Sequence, residues 1–147
     1  MTFRQMAILS SALLFALAAV WMLVPELLLT QWGVAYSSEI GLISRRAAAF
    51  YAGIAVMLLL ARNAELSKAR SALALGFSVA CFILATLGVL EWHFGAATAQ
   101  ILLAVALETL LGIGFLLTNK GPIINASIVN ASIVNASINT DPRSVNK

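Results

Sequence analysis

Four stretches of this chain run for about twenty residues with few polar positions, long enough for a helix to cross a bilayer. They are Met6–Val24, Ile40–Ala61, Ser71–Leu90 and Ala97–Thr118. Polar residues gather between them, so the pattern predicts four apolar helices joined by short polar connections. Pro25 ends or kinks the first helix, and "PELLLTQWGVAYSS" predicts a turn of interfacial helix followed by a loop. Ser38 with Glu39 marks the start of the second helix, because a serine oxygen caps free amides and an acid suits the positive helix end. Arg4 ahead of an apolar run has the flavour of a signal peptide. The run is longer than a usual signal core and more such runs follow, so it is read as a retained first span.

Composition agrees with the pattern. Of 147 residues, 61% are hydrophobic and 10% charged, with mean hydropathy +0.96, whereas a soluble domain carries about 25% charged residues. The net charge of +3 is small, and its placement says more than its size. Arg4, Arg62, Lys68, Arg70, Lys120, Arg143 and Lys147 fall on one side of the spans, and Glu26, Glu39, Glu91 and His93 on the other. The positive-inside rule then places both termini and the "RNAELSKAR" loop in the cytoplasm. Trp32, Tyr36 and Trp92 fall at the opposite interface, with Trp21 near it. The expected architecture is all-α: a polytopic four-helix membrane bundle over residues 1–120, in the bacterial inner membrane, with a polar C-terminal tail.

Small residues recur at four-residue spacing along these helices. Ala72, Gly76 and Ala80 form one stripe, Ala104, Glu108 and Gly112 another, and Arg46, Phe50 and Gly53 share a third face. Small side chains let helix backbones approach closely in lipid. Gly53, Gly76, Ala80, Ala104 and Gly112 are therefore the expected helix-packing positions.

The tail over 121–147 contains "NASIVNASIVNASIN", a five-residue unit repeated from Asn125. A period of five matches neither a helix stripe nor strand alternation. The glycosylation sequons at Asn125, Asn130 and Asn135 count for little in a cytoplasmic segment. A tail without a core of its own is read as a docking segment for other integral membrane subunits, with those three asparagines as its repeated contacts.

Chemistry is thin. The single cysteine, Cys81, cannot make an internal disulfide or a cysteine metal site and reads as a small core residue. His93 is the lone histidine, and haem or zinc would need further ligands. "GIGF" near Gly112–Phe115 lacks the strand–turn–helix context of a nucleotide fingerprint. No cofactor, metal, enzymatic activity or nucleic-acid partner is expected. Ionisable groups inside the spans are costly, about 2.5–3.5 kcal/mol each on insertion scales. Arg45, Arg46 and Glu108 are the candidates. Counting from the shared side, Arg46 lies roughly 10 Å and Glu108 roughly 16 Å along their helices. A long arginine side chain covers that difference, so an intramembrane Arg46–Glu108 pair is expected, with Arg45 turned away toward the interface.

"VPELLLTQWGV", "SRRAAAFYAGIAVMLLL", an apolar third span and "LLAVALETLLGIGFLL" together resemble a family of small four-span bacterial membrane proteins of unknown function, distantly similar to DoxX-like proteins. The resemblance covers about residues 6–118. It aligns Pro25, Arg46, Phe50, Tyr51, Gly53 and Glu108 with the family's proline, Arg-aromatic-Gly stretch and fourth-span acid. It implies a fold and no established activity. The first functional expectation is thus a non-enzymatic accessory or assembly subunit of a larger membrane complex, with a homo-oligomer also possible. The alternatives are a small proton-coupled transporter using Glu108, or a redox or quinone-associated membrane subunit.

Overall fold

A computed structural model describes residues 1–119, in five helices: α1 (Phe3–Leu23), α2 (Pro25–Gln31), α3 (Ser38–Ala61), α4 (Lys68–His93) and α5 (Ile101–Thr118). All but α2 are long and apolar enough to cross a membrane. The tail, with Asn125, Asn130 and Asn135, lies outside the described residues.

Side-chain caps set the helix starts. Thr2 and Gln5 form a reciprocal capping box on α1. Ser67 accepts from the Arg70 amide on α4. On α3 the cap is Ser37, which accepts from the Ile40 amide, so the helix begins at Ser38, one residue past the cap. Pro25 opens α2, where a missing N–H costs nothing. Helices α2 and α4 end alike. Gly33 (φ 78°) and Gly95 (φ 73°) take the left-handed conformation, while Val34 donates to the Leu29 carbonyl and Ala96 to that of Glu91. These are Schellman ends, which satisfy carbonyls that the helix cannot.

The four long helices pair as two antiparallel hairpins, α1 with α3 and α4 with α5, packed far more closely within than between. One serine ties each. Ser11 Oγ donates to the Ala55 carbonyl (2.9 Å), and Ser78 Oγ donates to the Gly112 carbonyl (3.1 Å). Matching Ser11 to Ser78 also matches buried Ala7 to Ala74, Leu14 to Cys81 and Ala18 to Ala85. Matching Ala55 to Gly112 likewise matches Ser44 to Ile101 and Leu58 to Phe115, all buried. The two hairpins are therefore built on one plan. The sequence carries a faint trace of it, since "SALLFALA" (11–18) and "SVACFILA" (78–85) share Ser, Phe, Leu and Ala at the same places.

The hairpins meet mainly at the end that holds the N-terminus and the 62–67 loop. Phe3 stacks edge-on against Phe115 (5.9 Å), which does the same to Phe77 (5.0 Å). The Arg70 guanidinium lies 4.0 Å from the Phe3 ring and donates to the Ala64 carbonyl (3.1 Å). Ser71 donates to the Asn119 side chain (3.2 Å). At the opposite end Thr98 donates through its amide to Trp32 and through its hydroxyl to Gln31, joining the segment after α2 to the segment before α5. Most outward-facing positions along the long helices are apolar, with Leu103 80% exposed and Phe50 77%. Surfaces of that kind suit lipid rather than water.

Candidate functional site

Glu108 belongs to the stripe Ile101, Ala104, Glu108, Leu111 and Phe115, whose spacing keeps it on one face of α5. Ile101, Leu111 and Phe115 are buried; Ala104 and Glu108 are half-buried. The face looks into the bundle, and there Tyr51 of α3 and Cys81 of α4 lie within electrostatic reach of the carboxylate. Each of the three residues stands near the midpoint of its helix. The carboxylate thus sits in a thin polar layer at mid-bundle, between apolar packing on either side.

The expected partner is elsewhere. Arg46 and Glu108 do not form an ion pair, and no basic group among the described residues offsets the carboxylate's charge. The reason is rotational and topological. Helix α3 uses Gly41, Ser44, Ala48, Ala55 and Leu58 against the bundle. At 100° per residue, Arg46 points about 200° from both Ser44 and Ala48, directly away from that face. It shares its side with exposed Phe50 and Gly53. Moreover, α3 packs on α1 while α5 packs on α4. Arg45 and Arg46 are both exposed, where long side chains reach toward an interface. Matching depth was a necessary condition for a pair but not a sufficient one.

The small-residue positions divide. Gly112 is buried in the α4–α5 contact, where a Cβ would lie 3.0 Å from the Phe82 ring and 3.4 Å from Cys81. Ala104 is half-buried on the Glu108 stripe. Gly53, Gly76 and Ala80 are exposed, and a Cβ at either glycine would meet nothing within 4 Å. They are not contacts within this bundle. The packed stripe of α4 is instead Ser71, Ala74, Ser78, Cys81, Ala85 and Gly88. Its alternating three- and four-residue steps follow the seam of two helices in left-handed contact. Gly88 faces Val105, and Gly114 faces the Met6 methyl. Mixing serine and cysteine into the stripe hid it, because small polar side chains also let helix backbones approach closely.

Two residues have a larger place in the structure than the sequence reading gave them. Tyr51, read only as part of the Arg-aromatic-Gly stretch, occupies in α3 the position that Glu108 occupies in α5 when the hairpins are matched. Arg70, read only as a flanking cation, clamps α4 to α1 and to the 62–67 loop that precedes α4. His93 ends α4, exposed and beside Phe94. Cys81 is buried and free, as a small core residue. Among the described residues no group of His, Cys, Asp or Glu could hold a metal ion.

Between α3 and α4 the bundle is open. A groove of about 390 Å³ runs along Ile54, Met57 and Leu58 on one side and Ala72, Leu73, Gly76, Phe77 and Ala80 on the other. It is apolar throughout. Comparison of the chain with protein-family models, with curated proteins and with solved structures finds no match.

Proposed function

We propose that this chain is a multi-pass protein of the bacterial cytoplasmic membrane, with both termini and the 62–67 loop in the cytoplasm, and that it works as a small proton-coupled transporter. Glu108 is the proton-carrying group. One observation carries the reading: a carboxylate at mid-span faces the bundle interior without a basic partner. A salt bridge to Arg46 would have made Glu108 a structural element. Without it, the cost of holding an acid at this depth has no structural return, and intramembrane acids of this kind mark proton or ion paths. Arginine and lysine bias supports the orientation, and the likeness to DoxX-like proteins stays part of the proposal.

The test uses the purified full chain in proteoliposomes holding a pH-sensitive dye, with a potential imposed across the membrane. Wild-type vesicles should acidify faster than protein-free ones. Glu108→Gln should fall to the protein-free rate while Glu108→Asp retains part of the flux. Equal rates for wild type and Glu108→Gln would remove the proposal.

A second reading, an accessory subunit of a larger membrane complex, is supported by the exposed Ala72–Gly76–Ala80 stripe. It invites close approach by another helix. Its test is blue-native electrophoresis of gently solubilised membranes, followed by mass spectrometry of what co-purifies. Migration solely as a free small protein counts against it.

A further inference from the structure

The gap between α3 and α4 and the seam between α1 and α5 occupy matched places in the two hairpins. In the seam, Met6 reaches over Gly114 and Phe3 stacks on Phe115. In the gap those places hold Leu73, Met57, Arg70 and Leu58. Glycine beneath methionine lets two helices close, whereas methionine opposite leucine holds them apart. Arg70 leaves the space unfilled, because its guanidinium is engaged with the Phe3 ring and the Ala64 carbonyl. The groove that remains runs from Ala72, near the start of α4, to Ala80 at its midpoint. That is roughly 12 Å at 1.5 Å per residue, most of the depth of one leaflet of a ~30 Å hydrocarbon core.

At its outer end the groove meets positive charge on both walls. Arg62 follows Leu58 by four residues and Lys68 precedes Ala72 by four, so each continues its wall by one helical turn. Arg62 keeps a helical backbone and gives one guanidinium N–H to the Leu59 carbonyl (2.7 Å). A guanidinium carries five such donors, so others remain for an anion. Lys68 is exposed. Glu65 stands in the loop between them and on neither wall. At the closed seam the matched places hold Met1 and Asn119, whose side chains carry no charge. Cationic side chains thus flank the open groove and not its closed counterpart.

We propose that this groove binds one anionic phospholipid of the leaflet at the basic end, with an acyl chain between α3 and α4 and the phosphate between Arg62 and Lys68. The inference needs only that the four long helices span a membrane, and it does not depend on Glu108 carrying a proton. Charge complementarity selects the occupant. Arginine grips a phosphate through paired N–H donors and lysine adds a point charge. A zwitterionic lipid fills the slot with the same acyl chain but brings its own cation next to two others. A partner helix laid on Ala72, Gly76 and Ala80 brings apolar side chains to the groove and no anion to its mouth. Basic residues at the end of a membrane span draw anionic headgroups in the same way, and a groove below them holds the lipid in one place.

The test is native mass spectrometry of the full chain, purified in mild detergent and titrated with phosphatidylglycerol or with phosphatidylcholine of identical acyl chains. Wild type should hold one phosphatidylglycerol at a saturable site and prefer it to phosphatidylcholine. Arg62→Gln combined with Lys68→Gln should weaken phosphatidylglycerol binding about thirtyfold, about fivefold for each cation, while Arg62→Lys keeps most of it. Gly76→Phe should abolish the saturable site with melting unchanged, because the added side chain enters open space. Arg4→Gln should have no effect, since Arg4 stands at the same end on α1, which lines no part of the groove. Equal affinity for the two lipids, or an equal loss in Arg4→Gln and in the double variant, would show a general attraction of anionic lipid to a basic surface and overturn the inference. Full phosphatidylglycerol binding by Gly76→Phe would overturn the groove as its seat. A protein dimer that excludes the lipid and is broken by Gly76→Phe would give the groove to a second copy of the chain and overturn the inference as well.

Discussion

The α1–α5 seam and the α3–α4 gap occupy equivalent places in two similarly built hairpins, yet one is closed and the other open. Both are apolar, so hydrophobicity does not separate them; in lipid it offers little drive for helices to associate in any case. Shape separates them. At the seam, Gly114 leaves room for Met6, and Phe115 is wedged between Phe3 and Phe77. At the gap, Met57 and Leu73 stand where glycine and methionine stand in the seam. Contact between spans depends on whether a backbone leaves space at the crossing, and one glycine is enough to decide it.

The sharpest way to break this comparison is to remove the space. Gly114→Leu puts a side chain where the Met6 methyl now sits. It should cost about 1–3 kcal/mol, as overpacking does, seen as a lower melting temperature in detergent. The same change at Gly53 or Gly76 should stay within about 0.5 kcal/mol, as expected away from tight contacts. Equal losses at Gly114 and Gly76 would show that the gap is as closed as the seam. Arg70→Ala removes the guanidinium from Phe3, a contact worth about 0.5–2 kcal/mol. Because the clamp sits beside the seam, its loss should loosen the meeting of the hairpins, read as faster hydrogen exchange at the start of α1 and the end of α5.

Smaller effects test the likeness of the hairpins themselves. Ser11→Ala and Ser78→Ala each delete one hydroxyl bond between spans. Each should cost about 0.6 kcal/mol, the average for such bonds in a membrane bundle, and the two should match. A large loss at one serine alone would show that the hairpins are held differently. Arg46→Leu is expected to change stability least of all. Breaking a buried pair would cost about 3–5 kcal/mol, so a loss of that size, recovered in part by adding Glu108→Leu, would restore the ion pair that the structure does not contain.

The number of spans and their order were legible in the sequence because apolar length is a local property. The predicted spans overlap α1, α3, α4 and α5, with boundaries shifted by a few residues where a cap decides them, as Ser37 does for α3. The short helix after Pro25 was legible for the same reason. Glu108 could be singled out because a charge inside an apolar run is conspicuous whatever surrounds it. Its surroundings could not be read. Axial depth follows from counting residues, but a pair also requires that two helices be neighbours and that both side chains point across the same boundary. Arg46 meets neither condition.

Amino-acid order by itself determined four apolar helices, a carboxylate in the last of them and a concentration of basic residues at one end. Only the tertiary structure decided that the helices pair as α1–α3 and α4–α5, that Gly88, Gly112 and Gly114 lie at contacts while Gly53 and Gly76 lie on open faces, and that Tyr51 and Cys81 rather than Arg46 share the layer of Glu108. The cause is the period of the helix. Every face of an apolar span looks alike in composition, so which face turns inward is settled by steric fit between helices far apart in the chain.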